Sequence, residues 1–176
     1  MKIELKKIRV VEAFSEETTA FSADLYINGK LVGYTKNDGH GGETDVYCHG
    51  GFDSPNRKAI DEAEVWAKSQ PNYNRDGFND IPMTLDFYID LIVDSYLRAK
   101  DEAKMKKAQM KEIQVGVPNS GTYRRYHWVG ATLAQMAAKP SGKGAVQTRI
   151  DTIKRELKAG EEILNATYLR SLGFTV

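Results

Sequence analysis

The sequence predicts an α+β fold: an antiparallel β-sheet built on a hairpin over residues 21–36 plus flanking strands, with two helices packed on one face, followed by a second β-hairpin and short C-terminal helices. Three observations predict it. Asn28-Gly29 sits between two alternating runs, and this pair best accepts the positive φ that a type I′ turn needs at both central positions. Apolar residues recur at helical spacing after Ser54-Pro55 and again after Thr84. Pro118-Asn119-Ser120-Gly121 is a turn between two further short β-type runs.

Taken in order, residues 2–13 read as a strand. Ile3 and Leu5 share one parity and Ile8 and Val10 the other, so a bulge near Lys6-Lys7 is expected. Ser15 to Thr19 is a polar turn. The two-residue turn at Asn28-Gly29 then sets Ile27 opposite Lys30, Leu25 opposite Val32 and Ala23 opposite Tyr34. The buried face should carry Phe21, Ala23, Leu25, Ile27, Val32 and Tyr34, and the other face Ser22, Asp24, Tyr26, Leu31 and Thr35. A glycine loop leads to a strand over residues 44–49.

Ser54 is the N-cap and Pro55 the first residue of a helix that Gln70-Pro71 ends. Residues 71–82 are rich in turn formers and read as a mobile loop. Thr84 caps a longer helix to Met110, with Leu85, Tyr88, Ile89, Ile92, Tyr96 and Ala99 as its buried stripe. Strands over 113–117 and 122–130 follow. Thr132 and Gln135 form a capping box for a short helix that Pro140 stops. Ser141 to Gly144 reads as a joint. A last helix carries Val146, Ile150, Ile153 and Leu157, with Gly160 as its C-cap. The chain reads as one domain over residues 1–176, with 1–111 and 112–176 as its alternative sub-lobes.

Composition bounds the function. With 41% hydrophobic and 28% charged residues, wholesale disorder is excluded. A net charge of +1 gives no global signature of nucleic-acid or membrane binding, so such a role needs a local patch. Cys48 is the single cysteine, so no intrachain disulfide forms and a reducing, cytoplasmic setting is expected. The first residues lack the apolar core of a signal peptide, and no apolar run approaches the ~18–20 residues that span a bilayer.

Several stretches bear on chemistry. Asn37, Asp38, Gly39, His40, Gly41 and Gly42 form a glycine-rich loop whose backbone N–H groups could cradle a phosphate or carboxylate. The competing reading is a tight strand connection that needs glycine for geometry alone. Ser141-Gly142-Lys143-Gly144 is P-loop-like but has Ala137 where glycine is required and Gly144 in place of the Mg²⁺-binding hydroxyl. Cys48 and His49 point to opposite faces of a strand, which argues against a nucleophile–base pair. Asp38, His40, Asp45 and His49 match no recognised metal spacing, so no metal or other cofactor is expected. No catalytic residue is assigned, although a hydrolase using Asp38, His40 and Asp45 is a third reading.

Two basic stretches remain. Arg98 to Lys111 holds six Lys/Arg against two acids, and Lys104, Lys106 and Lys107 are its candidate contacts. The strand Tyr123 to Trp128 interleaves Arg124, Arg125, Tyr126 and Trp128, a mixture that stacks bases or anchors protein interfaces. A protein or ribonucleoprotein partner is expected, with nucleic acid open to the chain through these local patches.

The run SEETTAFSADLYINGKLVGYTKNDGHGG, with the later Ile163-Leu164-Asn165, resembles small proteins of phages, prophages and gut-bacterial mobile elements that share an LYINGKxVG…NDGHGG block. The resemblance brings no catalytic residues. It implies a phage-like setting, and with the composition and the basic patches the expected role is a non-enzymatic accessory protein that binds and inhibits a host defence complex, for example as an anti-CRISPR-type inhibitor of an RNA-guided nuclease. The alternative is a binder that sequesters a phosphorylated signalling ligand in the glycine loop.

Overall fold

Four antiparallel strands in sequential order open the chain: β1 (Ile3–Val10), β2 (Phe21–Ile27), β3 (Lys30–Asn37) and β4 (Asp45–Cys48). The computed structural model describes residues 1–75 and 77–176, with Arg75, Phe78 and Asn79 described by their backbone alone. These residues form two compact units, Met1–Arg98 and Ala99–Val176, each with its own apolar core.

In the first unit, Asn28 and Gly29 take φ of 50° and 82°, as a type I′ turn requires. β1 carries the expected bulge: its register with β2 shifts between Lys6 and Arg9, and Lys7 sits at φ 52°. A second bulge was not expected. Leu25 pairs with Gly33 and Tyr26 with Leu31, so β3 contains one extra residue. The extra residue flips the parity of the strand. Thr35 and Asn37 turn inward and are buried, whereas Tyr34 is 40% exposed on the outer face. The placement of Tyr34 in the core and of Thr35 outside is therefore corrected. Gly33 makes the bulge possible, because a Cβ there would run into the Tyr47 carbonyl of β4.

Two helices cover the inner face. α1 (Pro55–Lys68) starts as expected, with Ser54 Oγ accepting from Arg57 N at 3.1 Å and Pro55 in the first turn. α2 (Leu85–Gln109) is capped by Thr84, which accepts from Phe87 N at 3.4 Å. Its buried row is Leu85, Ile89 and Val93, with Leu97 packed on the same core. Tyr96, expected in the stripe, is 41% exposed, and Ala99 is exposed too, because a spacing of four carries the row along a neighbouring line of the helix. The segment read as a loop over 71–82 contains a small antiparallel pair, β5 (Tyr73–Arg75) and β6 (Phe78–Ile81). Its polar residues bond across the pair: Asp80 N donates to Asn74 Oδ1 and Asn72 Nδ2 to Asp80 Oδ1, each at 2.7 Å. Asp76, within the segment expected to be mobile, lies outside the described residues.

The second unit has its own three-stranded sheet, in the order β8 (Arg124–His127), β7 (Glu112–Gly116), β9 (Glu162–Ile163). The strands of the second hairpin thus pair in this sheet and not with β1–β4. β7 is central and buried along its whole length, and β8 is an edge. α3 (Leu133–Ala137) has the predicted capping box of Thr132 and Gln135. Pro140 does not only end α3. It is the first residue of α4 (Pro140–Glu156), a position where its missing N–H costs nothing. Ser141 to Gly144 is therefore the first turn of a helix rather than a joint. Gly142 is buried there because a Cβ would press on the backbone of Met136 in α3. Gly160 lies beyond the C-cap residue Leu157 and serves the turn from Lys158 to Glu161 instead. α5 (Ala166–Ser171) closes the unit.

Asn165 holds the second unit at its centre. It is 3% exposed. Its Oδ1 accepts from Gln114 N at 3.1 Å, and its Nδ2 donates to the carbonyls of Gln109 at 3.0 Å and Glu112 at 2.8 Å. One side chain thus satisfies the last turn of α2 and two backbone groups of β7. Asn165→Ala leaves these three groups without partners. It is expected to destabilise the second unit by about 2–5 kcal/mol, read from denaturant unfolding followed by Trp128 fluorescence, with little change in the first unit.

Candidate functional site

The glycine loop is closed by Asn37. All four hydrogen-bonding positions of its amide are used. Oδ1 accepts from Thr18 Oγ1 and from Gly39 N, both at 2.8 Å, and Nδ2 donates to Gly42 O at 3.0 Å and Thr44 Oγ1 at 3.1 Å. The Gly39 carbonyl accepts from the N–H groups of Glu16, Glu17 and Thr18, and Gly41 N donates to Thr18 Oγ1 at 3.3 Å. Gly39 takes φ 90° and lies so close to Phe14 that a Cβ would meet its carbonyl. The loop is thus tied to the segment before β2, and two of the N–H groups that would cradle an anion are already bonded.

Its charge also opposes an anion. A cleft of about 450 Å³ beside Asn37 is lined by Glu16, Glu17, Asp90 and Asp94. Thr44 Oγ1 donates to Asp90 Oδ1 at 2.6 Å. Burial pushes the Asp90 carboxyl above its usual range, and Asp86 and Asp94 push it further, while the Thr44 bond works the other way. The three groups of the hydrolase reading are engaged separately: His40 Nδ1 lies 3.2 Å from Glu16 Oε2, Asp38 pairs with Lys36 at 3.3 Å, and Asp45 accepts from the Tyr47 hydroxyl at 3.0 Å. Cys48 Sγ is 3.5 Å from Ser54 Oγ. Among the described residues no group of three or more His, Cys, Asp or Glu is placed to hold a metal ion.

The second unit presents a different surface. Arg125, His127 and Trp128 line two adjoining cavities of about 510 and 670 Å³. Lys111 joins them in the first and Arg149 in the second. Arg149 Cζ lies 5.6 Å from the ring centroid of Tyr126. Tyr126 and Trp128 are half-buried and pack on the second core, so their rings are held rather than free. Val129, next in the chain, is 96% exposed at the rim. Glu112 is the one acid among the lining residues. It is largely buried, and its Oε1 accepts from Gln114 Nε2 at 3.1 Å.

Of the residues singled out by sequence, Arg125, Tyr126 and Trp128 therefore meet at this groove. Arg124 does not. It binds Glu161 Oε2 at 2.7 Å and the Tyr126 hydroxyl at 3.2 Å. The Lys158 N–H, with Arg124 beside it, holds the Glu161 carboxyl below its usual range. Lys104, Lys106 and Lys107 are exposed on the last turns of α2, before Lys111. Lys111, His127 and Arg149 complete the groove. Arg149 was legible only as an outward position of α4.

No family model, curated protein or solved structure matches the chain. The two units present different surfaces. Their charges are opposite. The first unit holds 11 Lys/Arg and 17 Asp/Glu and the second 14 and 7, so the net +1 is the difference between −6 and +7. The outer sheet face of the first unit carries an aromatic stack that sequence reasoning missed. The second bulge brings Tyr34 onto it, stacked on Tyr47 with centroids 4.7 Å apart, and Lys6 lies 3.9 Å from the Tyr26 ring. Among the described residues no helix is long and apolar enough to cross a membrane.

The acidic cleft makes one pH prediction. An acid whose folded pKa is raised costs the fold nothing below its unfolded value near ~3.9, and its cost grows as pH rises through the folded value. Asp90→Asn keeps an acceptor for Thr44 and removes the charge. It is expected to raise the stability of the first unit at pH 7, within about 1 kcal/mol because water screens a part-buried group. The gain over the parent protein should shrink as pH falls toward the carboxylate range, measured by urea midpoints across pH.

Proposed function

We propose that the protein is a non-enzymatic binding protein that attaches through its second unit to an anionic surface of a host protein or ribonucleoprotein and inhibits it. The groove along β8 carries this reading. Lys111, Arg125 and Arg149 have no ion-pair partner among the described residues, and they surround aromatic rings already fixed by packing. Fixed aromatics and unpaired arginines are what binding hot spots are made of, because little side-chain entropy is lost on contact. The resemblance of the LYINGKLVG…NDGHGG block to phage and mobile-element proteins supports a host defence complex as the target, with an RNA-guided nuclease as the leading class. The alternative, sequestration of a phosphorylated ligand by the glycine loop, has less behind it, because Gly39 N and Gly41 N are already bonded and acids line the neighbouring cleft.

A challenge panel tests the proposal. Hosts carrying single, defined defence systems, RNA-guided nucleases among them, are exposed to phage or plasmid with and without the protein. Relief of one system by an order of magnitude or more, lost in Arg125→Glu, is the expected outcome. Relief of none, or relief that Arg125→Glu leaves intact, would contradict the proposal.

A further inference from the structure

We infer that the groove along β8 binds single-stranded nucleic acid, with a base against Trp128 and phosphates held by Arg125, Arg149 and Lys111. The inference deepens the binding-protein reading and rests on it for the choice of surface.

Four observations favour this ligand. The second unit, at +7 in 78 residues, is a basic module whose charge is hidden in the near-neutral total. The two cavities share Arg125, His127 and Trp128 and so adjoin at the edge strand β8, which gives room for more than one nucleotide. The lining brings the guanidinium groups of Arg125 and Arg149 together with the rings of Tyr126 and Trp128, which pairs phosphate contacts with a π-face for a base. β8 is a poor acceptor for an added peptide strand: it is an edge of only four residues, two of them arginines, and such edges resist β-pairing. An acidic peptide would satisfy the cations but would leave the indole without a flat partner. A duplex would satisfy the cations too, but its bases are already stacked on each other.

The test uses the intact protein and labelled oligonucleotides of about 15 nucleotides, the span of one to a few such sites. Fluorescence anisotropy is measured with oligo-U, oligo-dT and a mixed-sequence duplex over a salt series. Single strands are expected to bind more tightly than duplex, with a log–log salt slope of about −2 for three phosphate contacts at roughly −0.7 each. Arg125→Glu and Arg149→Glu, both exposed and free of ion pairs among the described residues, should each weaken binding about tenfold or more. Lys58→Glu on α1 should leave it unchanged. Because Trp128 packs on the core, its role is read without replacing it. In a Trp66→Phe background Trp128 is the only indole, and a single strand should quench its emission on saturation. Equal affinity for duplex without quenching would overturn the stacking arrangement. Absence of saturable binding at low salt, or binding indifferent to both arginine variants, would overturn the inference outright. The challenge panel, which needs no nucleic acid to bind, would then still decide the inhibitor reading by itself.

Discussion

The first unit depends on one buried amide. Asn37 uses both lone pairs and both protons on four partners, Thr18 from the segment before β2 and Gly39, Gly42 and Thr44 from the loop that follows β3. It can do so only because β3 bulges after Leu31. Without the extra residue, Asn37 would fall on the outer face and Tyr34 would be inside. The bulge also matches β3 to β2, whose inward row of Phe21, Ala23, Leu25 and Ile27 stays unbroken between two bulged neighbours. A buried polar group is tolerated when every position on it is satisfied, and it then specifies one arrangement of the loops around it. Gly39 and Gly41 belong to that arrangement. Their positive φ lets the loop fold back onto Glu16 to Thr18, which is a structural use of glycine.

Asn165 has the same part in the second unit, with a different consequence. It replaces a missing strand partner along β7 and ties α2 to that strand. With β7 fixed, β8 is held by only one side, and its outward residues remain open. Tyr126 and Trp128 are pinned by the core beneath, while Arg125 and His127 stand on the rim of the groove. The two units therefore divide the work of binding and of folding differently. In the first, polar groups around the loop bond one another. In the second, Lys111, Arg125 and Arg149 have no ion-pair partner among the described residues.

Much of the architecture was legible in the sequence, and the failures share a cause. The Asn28-Gly29 turn, the bulge in β1, the Ser54 and Thr84 caps and the capping box at Thr132 are local signals, set by residues within a few positions of each other. The bulge at Val32 is not local. Gly33 is needed there because β4 passes close to it, and nothing within the hairpin reports that approach. Pro140 was read as a stop when it is also a start, since proline favours both the end of one helix and the first turn of the next. The groove was legible in part. Arg125, Tyr126 and Trp128 stand in one run, but Arg149 and Lys111 come from distant segments that only the fold assembles. The charge of the second unit was missed because a total over the whole chain cancels it.

Gly39 N and Gly41 N of the glycine loop are already bonded, whereas Lys111, Arg125 and Arg149 of the β8 groove have no ion-pair partner among the described residues. Two-dimensional ¹H–¹⁵N spectra of the intact protein, titrated with inorganic phosphate and then with a single-stranded oligonucleotide, test this contrast residue by residue. The account predicts that the amides of Gly39, Gly41 and Gly42 stay in place through both titrations, while the Trp128 indole and the amides of Arg125 and His127 shift with the oligonucleotide. Saturable phosphate-dependent shifts at Gly39 and Gly41, with the groove resonances unmoved, would contradict it.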